Sequence, residues 1–411
     1  MRRRLFNGYC ECDNFYNNTI VLTTEYVLNA HYFNGGYDKE QIDTLYVEFE
    51  PLHYDNGTIR TKGYILRMKE GFTTLREIFR DITTTLTVDL TNLDTSNLTD
   101  MAYMFYGMTK LTTVDFGGLD MTSITNMEYM FSGCTSLTSL DIKSLNLSNV
   151  TNMEYMFSSC SSLNEIDMNG LISENCIKSP SFNGCTNLKH IDLSNCFLNS
   201  PVYMTNCTSL ENVCINNSII TAIYFDDCTS SYTLDLSGSI LMNYFINSAI
   251  KNGAKIILLR NCDMSNIKYF SSNSTINTNN LEEIDFSNAI IDEVNTFSMF
   301  NKCSKLKKVI GLEDLSPKNL NSTNGMFNGC SSIETIDLSN WDFSKASDMS
   351  YMFYYCTSLK ELKMLGPINS SANTSQMFSG INTNGTFYYN SEYDYSNIIS
   401  VLPSKWTAVA V

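Results

Sequence analysis

Apolar positions along this chain fall into one word that recurs. Its clearest copy runs Thr151-Asn-Met-Glu-Tyr-Met-Phe-Ser-Ser-Cys-Ser-Ser-Leu-Asn-Glu-Ile-Asp-Met168. Near-copies run from Thr125 through Phe131 and Cys134 to Ile142, and from Asp348 through Phe353 and Cys356 to Met364. Aligned on the aromatic of Phe-x-x-Cys, or an apolar stand-in, the anchors are Phe79, Phe105, Phe131, Phe157, Phe182, Met204, Phe225, Phe245, Phe270, Phe300, Phe327, Phe353 and Phe378. The steps run from 20 to 30 residues, most of them 25 or 26. A period of this size signals a stacked array rather than separate globules.

Each unit has two halves. Leu140 and Ile142 alternate with polar neighbours, which predicts a short strand with one buried face. In Thr151 to Phe157 the apolar residues fall at i, i+3 and i+4, which predicts a helical turn. Thr151 with Glu154, and Thr125 with Glu128, read as capping boxes at its start. Gly133, Gly184, Gly329 and Gly380 follow their anchors by two residues, where a left-handed stop is needed. One strand and one turn bury no core alone, so each unit must be covered by the next. The expected fold is an α/β repeat solenoid, with parallel strands on one face and short helical turns on the other. Some thirteen units at about 4.8 Å each would span roughly 60 Å.

The pattern L-x-x-L-D-L-S-N-x-D-x-S, followed by M-x-x-M-F-x-x-C, resembles the BspA-type leucine-rich repeats of mycoplasma-lipoprotein-type surface proteins. Here it reads Ile333-Glu-Thr-Ile336-Asp-Leu338-Ser-Asn340-Trp-Asp342-Phe-Ser344, then Met349, Met352, Phe353 and Cys356. The resemblance covers roughly 73–381 and fades between 170 and 295, where units shorten. It implies a leucine-rich-repeat scaffold that binds other molecules at its surface, and it brings no catalytic residues with it. Residues 1–72 read as a β-rich N-terminal cap, with strands in Thr19–Leu28, Leu45–Glu50 and Tyr64–Met68 around a turn at Asp55-Asn56-Gly57. The alternative for that segment is attachment to a larger assembly through Arg2, Arg3 and Arg4. Residues 382–411 read as a C-terminal cap, with Tyr388, Tyr389 and Trp406 laid over the last unit.

Charge changes the picture of the partner. The chain has 27 Lys and Arg against 43 Asp and Glu, a net of −16. That argues against nucleic acid, whose binding rests on cations against phosphate. It argues equally against anionic membrane surfaces. No apolar run is long enough to span a bilayer, so no membrane insertion is expected. The basic opening has no apolar stretch behind it, so no secretory signal is read there. Surface proteins of the resembled family need an export route; assembly in the cytoplasm and release by lysis, as a phage virion is released, is the expectation drawn from this. The Arg-rich opening and Tyr-rich close are similar to those of repeat proteins in phages of gut bacteria. The alternative is a bacterial cell-surface adhesin.

Eight of the 14 cysteines recur at the anchor position, from Cys134 to Cys356. The expectation is a column of reduced, buried thiols, with disulfides between neighbouring units as the lesser option. Cys10 and Cys12 lack the partners of a zinc site. His31, His53 and His190 stand in no nucleophile or metal-ligand pattern, and no phosphate loop or nucleophile elbow occurs.

One constellation remains. Asp89, Asp115, Asp141, Asp167 and Asp192 hold the same strand position in consecutive units, and Asp235, Asp285 and Asp337 resume it. Alternation puts them on the exposed sheet face. Either local hydroxyls and amides satisfy them, or the stripe recruits Ca²⁺ or a basic ligand; otherwise no cofactor is expected. The candidate contact surface for a protein or glycan ligand is Asp141, Lys143, Glu165, Asp167, Lys189, His190, Asp192, Glu282, Glu283 and Asp285. The sequence thus reads as a non-enzymatic recognition module. The alternative from another class is a carbohydrate-active enzyme using paired acids of this face.

Overall fold

The structure, a computed structural model, describes residues 19–24, 42–52, 61–68, 72–243, 246–267, 280–291, 296–315, 317, 320–381 and 384–411, the strands before residue 72 as backbone alone. Anchors Phe245 and Phe270, the turn at Asp55–Gly57, Arg2–Arg4, Cys10, Cys12, His31 and His53 lie outside the described residues. The chain is a parallel β-solenoid of about 13 coils with very little helix.

One coil shows why. From Ile124 to Val150, residues Ile124, Met127, Met130, Phe131, Cys134, Leu137, Leu140, Ile142, Leu145, Leu147 and Val150 are all buried. Between them the chain turns at Asn126, Asp141 and Asn146, whose side-chain oxygens accept the amide of the residue two ahead at 3.1, 3.3 and 3.1 Å. Asn and Asp favour such turns because the side chain mimics a backbone acceptor. Three corners per coil wrap the apolar residues inward, and the anchors stack. Phe79, Phe105, Phe131, Phe157 and Phe182 follow one another at ring-centroid distances of 5.9, 5.1, 5.8 and 5.5 Å.

The helical half expected over Met127–Cys134 is not a helix. It is a run of tandem turns. The amides of Met130, Ser132 and Cys134 bond three residues back, to Met127, Tyr129 and Phe131. The amides of Met127, Tyr129, Phe131 and Gly133 bond instead to Asn152, Glu154, Met156 and Ser158 of the next coil. An α-helix closes its bonds within itself and would leave the neighbouring coil without partners. Left-handed residues at Tyr129 (φ 53°) and Gly133 (φ 79°) permit the alternation. The capping boxes fail for the same reason. Thr151 Oγ1 donates to Thr125 O of the preceding coil at 3.1 Å, and the Glu154 amide donates to Asn152 Oδ1 at 3.0 Å.

In chain order, β1 (Thr19–Thr24), β2 (Ile42–Leu52) and β3 (Thr61–Met68) form an antiparallel group. β1 then runs antiparallel along β4 (Thr85–Asn92), the first strand of the stack, and occupies its open edge. β5 (Thr113–Asp115) continues β4 in parallel. A longer ladder starts with β6 (Glu165–Asp167) and β7 (His190–Asp192). In the shorter central coils, β8 (Phe197–Leu198), β9 (Val202–Tyr203), β10 (Asn212–Cys214), β11 (Ile219–Ile220), β12 (Ile223–Tyr224), β13 (Tyr232–Asp235) and β14 (Ile240–Leu241) supply three parallel ladders. The helix α1 (Ile246–Lys251) leads through a two-residue turn into β15 (Ala254–Leu258). β16 (Glu283–Asp285) and β17 (Lys308–Ile310) close the seven-stranded sheet β17-β16-β15-β13-β10-β7-β6.

The last sheet takes β18 (Thr335–Asp337), β19 (Glu361–Met364), β20 (Gly385–Tyr389) and, beyond the short helix α2 (Ser396–Ile399), β21 (Trp406–Ala410), all in parallel. The C-terminal stretch therefore carries the strand ladder onward, with Trp406 against Phe378 at 6.1 Å. One expected strand is missing. Leu140-Asp-Ile142 forms no strand, and among the described residues no backbone amide from Ser139 to Ile142 bonds to an adjacent coil. Val114 and Leu140, inward residues at this break, are 7% and 8% exposed, against 0–3% for Ile166, Ile191 and Val213.

Candidate functional site

The ladder from β6 to β10 turns one residue of each strand inward and two outward. Ile166, Ile191 and Val213 enter the core. Register places Glu165, His190 and Asn212 in one outward row, and Asp167, Asp192 and Cys214 in the next. Together with Ser139 and Asp141 across the break in the ladder, they line a groove of about 580 Å³.

Each aspartate of the column is held by its own turn. Oδ1 of Asp141, Asp167, Asp192 and Asp235 accepts the amide two residues ahead at 3.3, 3.0, 2.8 and 3.0 Å. Asp285 and Asp337 do the same and also accept the hydroxyls of Ser287 and Ser339. Cations reach across from neighbouring coils. Lys143 Nζ lies 2.5 Å from Asp167 Oδ2. That bond, with the Asn169 amide, holds the Asp167 carboxyl below its ordinary range, while Asp167 pushes the Lys143 ammonium up. Asn169 Nδ2 donates to Asp192 at 3.3 Å. Asn212 Nδ2 lies 3.1 Å from His190 Nδ1, and His190 Nε2 is 3.9 Å from Glu211. Burial pushes the Cys214 thiol up.

Of the ten residues singled out from sequence, Asp141, Glu165, Asp167, His190 and Asp192 share this groove. Lys143 reaches it through its ion pair. Lys189 pairs with Glu211 at 3.0 Å, and this bond lowers the Glu211 carboxyl. Glu282, Glu283 and Asp285 lie elsewhere: β16 is five strands along the ladder from β6, about 24 Å at the usual spacing. Glu282 pairs with Lys307 and Lys255 at 2.9 and 3.6 Å, and Glu283 with Lys308 at 3.7 Å. Asp285 is not an exposed contact residue. It is 3% exposed and holds Arg260 at 2.5 Å. Burial works to raise its carboxyl, but the Ser287 hydroxyl and Arg260 outweigh it and the net shift is downward.

The groove also takes in Ser139, Asn212 and Cys214, which sequence reasoning passed over. They flank the inward residues Leu140 and Val213, so the alternation that selected Glu165 and Asp167 would have found them. Their own side chains carry no charge, so they lack the signal that drew attention to Asp141 and Asp167. Among the described residues, no group of three or more His, Cys, Asp or Glu side chains is arranged to hold a metal ion. The twelve described cysteines are free thiols. Cys134, Cys160, Cys185, Cys207 and Cys228 each donate to a carbonyl of the preceding coil's anchor, from Phe105 through Met204, at 3.0–3.1 Å.

The family model described as "Mycoplasma protein of unknown function, DUF285" matches residues 73–195 and 262–389, more than half of the chain. The gap between the two matches covers the shortened central coils. No curated protein matches the chain.

Proposed function

The chain belongs to this mycoplasma-type repeat family, and on that premise we propose that it is a non-enzymatic recognition module presenting the β6–β10 strand face to a protein or glycan partner. One observation carries the reading. The coil's inward side chains are committed to a continuous buried core, while the outward rows of consecutive strands line a groove with polar side chains held in register. A rigid scaffold holding adaptable polar side chains in register suits recognition, where orientation of a few convergent groups sets specificity. The kinship with BspA-type leucine-rich repeats is part of this proposal, supported by the Ile-Asp-Leu strand words and the Met-x-x-Met-Phe-x-x-Cys turn words. The placement we propose is a phage virion, on the likeness of the Arg2–Arg4 opening and the Tyr388–Tyr395 close to phage repeat proteins.

The test is binding of the fluorescently labelled chain to bacterial cells, with Glu165→Lys and Asp192→Asn as groove variants, the asparagine oxygen still able to accept the Ser194 amide that holds the turn. Both positions face outward, so the variants should fold. Loss of cell binding with an unchanged melting temperature supports the strand face; binding equal to the parent chain contradicts it. Peptide mass spectrometry of purified virions against host membranes tests the placement, and peptides confined to the membrane fraction contradict it.

A further inference from the structure

A second surface lies on the side of the coil built from tandem turns. Tyr351, Tyr354 and Tyr355 belong to one coil there. Tyr351 and Tyr355 both have φ of 57°. Left-handed residues recur at these two positions along the array, at Glu77, Ser298, Gly325 and Gln376 in one case and at Gly133, Ser159, Lys302 and Gly329 in the other. What sets this pair apart is exposed ring area. In earlier coils the tyrosine ring has a stacking partner. Tyr103, Tyr129 and Tyr155 occupy the position of Tyr351 in consecutive coils and stack face to face at 4.7 and 4.7 Å. Tyr351 has no such stack, because its neighbours in register are Gly325 and Gln376. It is 42% exposed, and Tyr355 is 51% exposed.

The three rings form a corner. Tyr354 stands at 70° to both Tyr351 and Tyr355, with centroids 5.3 and 4.5 Å away. Tyr355 is seated on Gly380: a Cβ there would lie 3.0 Å from its ring. Beside the rings runs a polar network. Asn324 Nδ2 donates to Asp348 Oδ2 at 3.1 Å and to Ser350 Oγ at 2.7 Å, and Asn373 Nδ2 donates to Asp348 Oδ1 at 3.3 Å.

We propose that this corner is a carbohydrate-binding site for a neutral saccharide. The ring face is electron-rich and meets the weakly positive C–H face of a pyranose. Asn324 is committed within this network and Asp348 Oδ1 already accepts from Ser350 and Asn373, so a sugar hydroxyl donates to the remaining lone pair of Asp348 Oδ2 and another accepts from the second N–H of Asn373. The same carboxylate repels acidic sugars. A protein partner fits less well, because an interface core needs a contiguous apolar patch, and the residues flanking the rings along this side, Asn301, Asn328, Ser379 and Gly380, are small or polar.

The experiment is affinity electrophoresis of the full chain through gels carrying dextran, mannan, galactan or xylan, with alginate as the acidic control. Retardation by at least one neutral polysaccharide and none by alginate is expected. Tyr351→Ala and Tyr355→Gly should each weaken it roughly tenfold, about 1.4 kcal/mol. Tyr355→Gly should leave the melting temperature unchanged or raise it, since glycine relieves the left-handed strain. A purely structural tyrosine would lower it. Glu165→Lys should not affect retardation, so the strand-face reading stands or falls separately. No retardation in any neutral gel, or retardation that survives in the double variant, overturns the proposal. So does capture of a host protein that depends on both tyrosines without any polysaccharide binding.

Discussion

Phe157 shows how a single residue serves its neighbours. It is fully buried between Phe131 and Phe182, and its carbonyl accepts the Cys185 thiol at 3.1 Å. Phe157→Ala should cost about 3–5 kcal/mol, the range for a large aromatic removed from a close-packed core, read from the urea unfolding midpoint. A loss under about 1 kcal/mol would mean that the ring is not a core element. Burial pushes the thiols of Cys134, Cys185 and Cys356 each up to about 12. The thiolate is the reactive form, so peptide mapping after iodoacetamide at pH 8 should find these three unmodified until denaturant is added. Rapid alkylation of the folded chain contradicts the buried column. The acids set the response at low pH. The carboxyls of Asp167, Asp263 and Asp348 are held below their ordinary value. The stability they contribute is complete above the unfolded value of about 3.9 and is lost as pH falls through the lower folded values. The melting temperature should therefore be insensitive to these groups above about pH 5 and fall below about pH 4; an unchanged value at pH 2 contradicts it. At this scale the sequence was informative. The inward residues and the left-handed glycines could be read from spacing alone. The partners of the acids could not, because Lys143–Asp167 and Arg260–Asp285 join residues 24 and 25 apart through a register that only the stacked fold fixes.

Among the elements, the turn half differs most from expectation. Met127–Phe131 has the apolar spacing of a helix, and Thr-x-x-Glu has the form of a cap, but both rules describe a segment bonded to itself. Here every second amide has a partner in the next coil, and that competition decides the conformation. The break at Leu140-Asp-Ile142 carries no sequence signal, since its word matches Ile166-Asp-Met168. Its amides lack ladder bonds, so hydrogen exchange should be faster at Ser139–Ile142 than at Glu165–Asp167 or His190–Asp192, because protection follows the free energy of local opening. Equal protection across these strands would show the ladder to be continuous there. The break borders the groove, so the rim formed by Ser139 and Asp141 is its most yielding part.

For the whole molecule, the period was the decisive signal. An array of about 13 coils joins each coil mainly to its neighbours, so stability is a sum of coil and interface contributions. The family match falls on the two ends of the repeat region and skips the shortened centre, yet Met204 and Phe225 keep the inward column through that centre. The N-terminal strand β1 along β4, and β20 and β21 beyond the last cysteine-bearing coil, show the ladder extending past the recurring word. There the sequence keeps strand alternation but loses its anchors. The most direct test is dipolar electron spin resonance with nitroxides on ketone-bearing residues at exposed positions. Labels at Asn97 and Lys345 should be about 48 Å apart, and at Asn175 and Lys345 about 34 Å, each shortened by any bend, at about 4.8 Å per coil. Narrow distributions with the first distance clearly longer than the second are the predicted result. Equal distances, or broad distributions without a maximum, would contradict the stack.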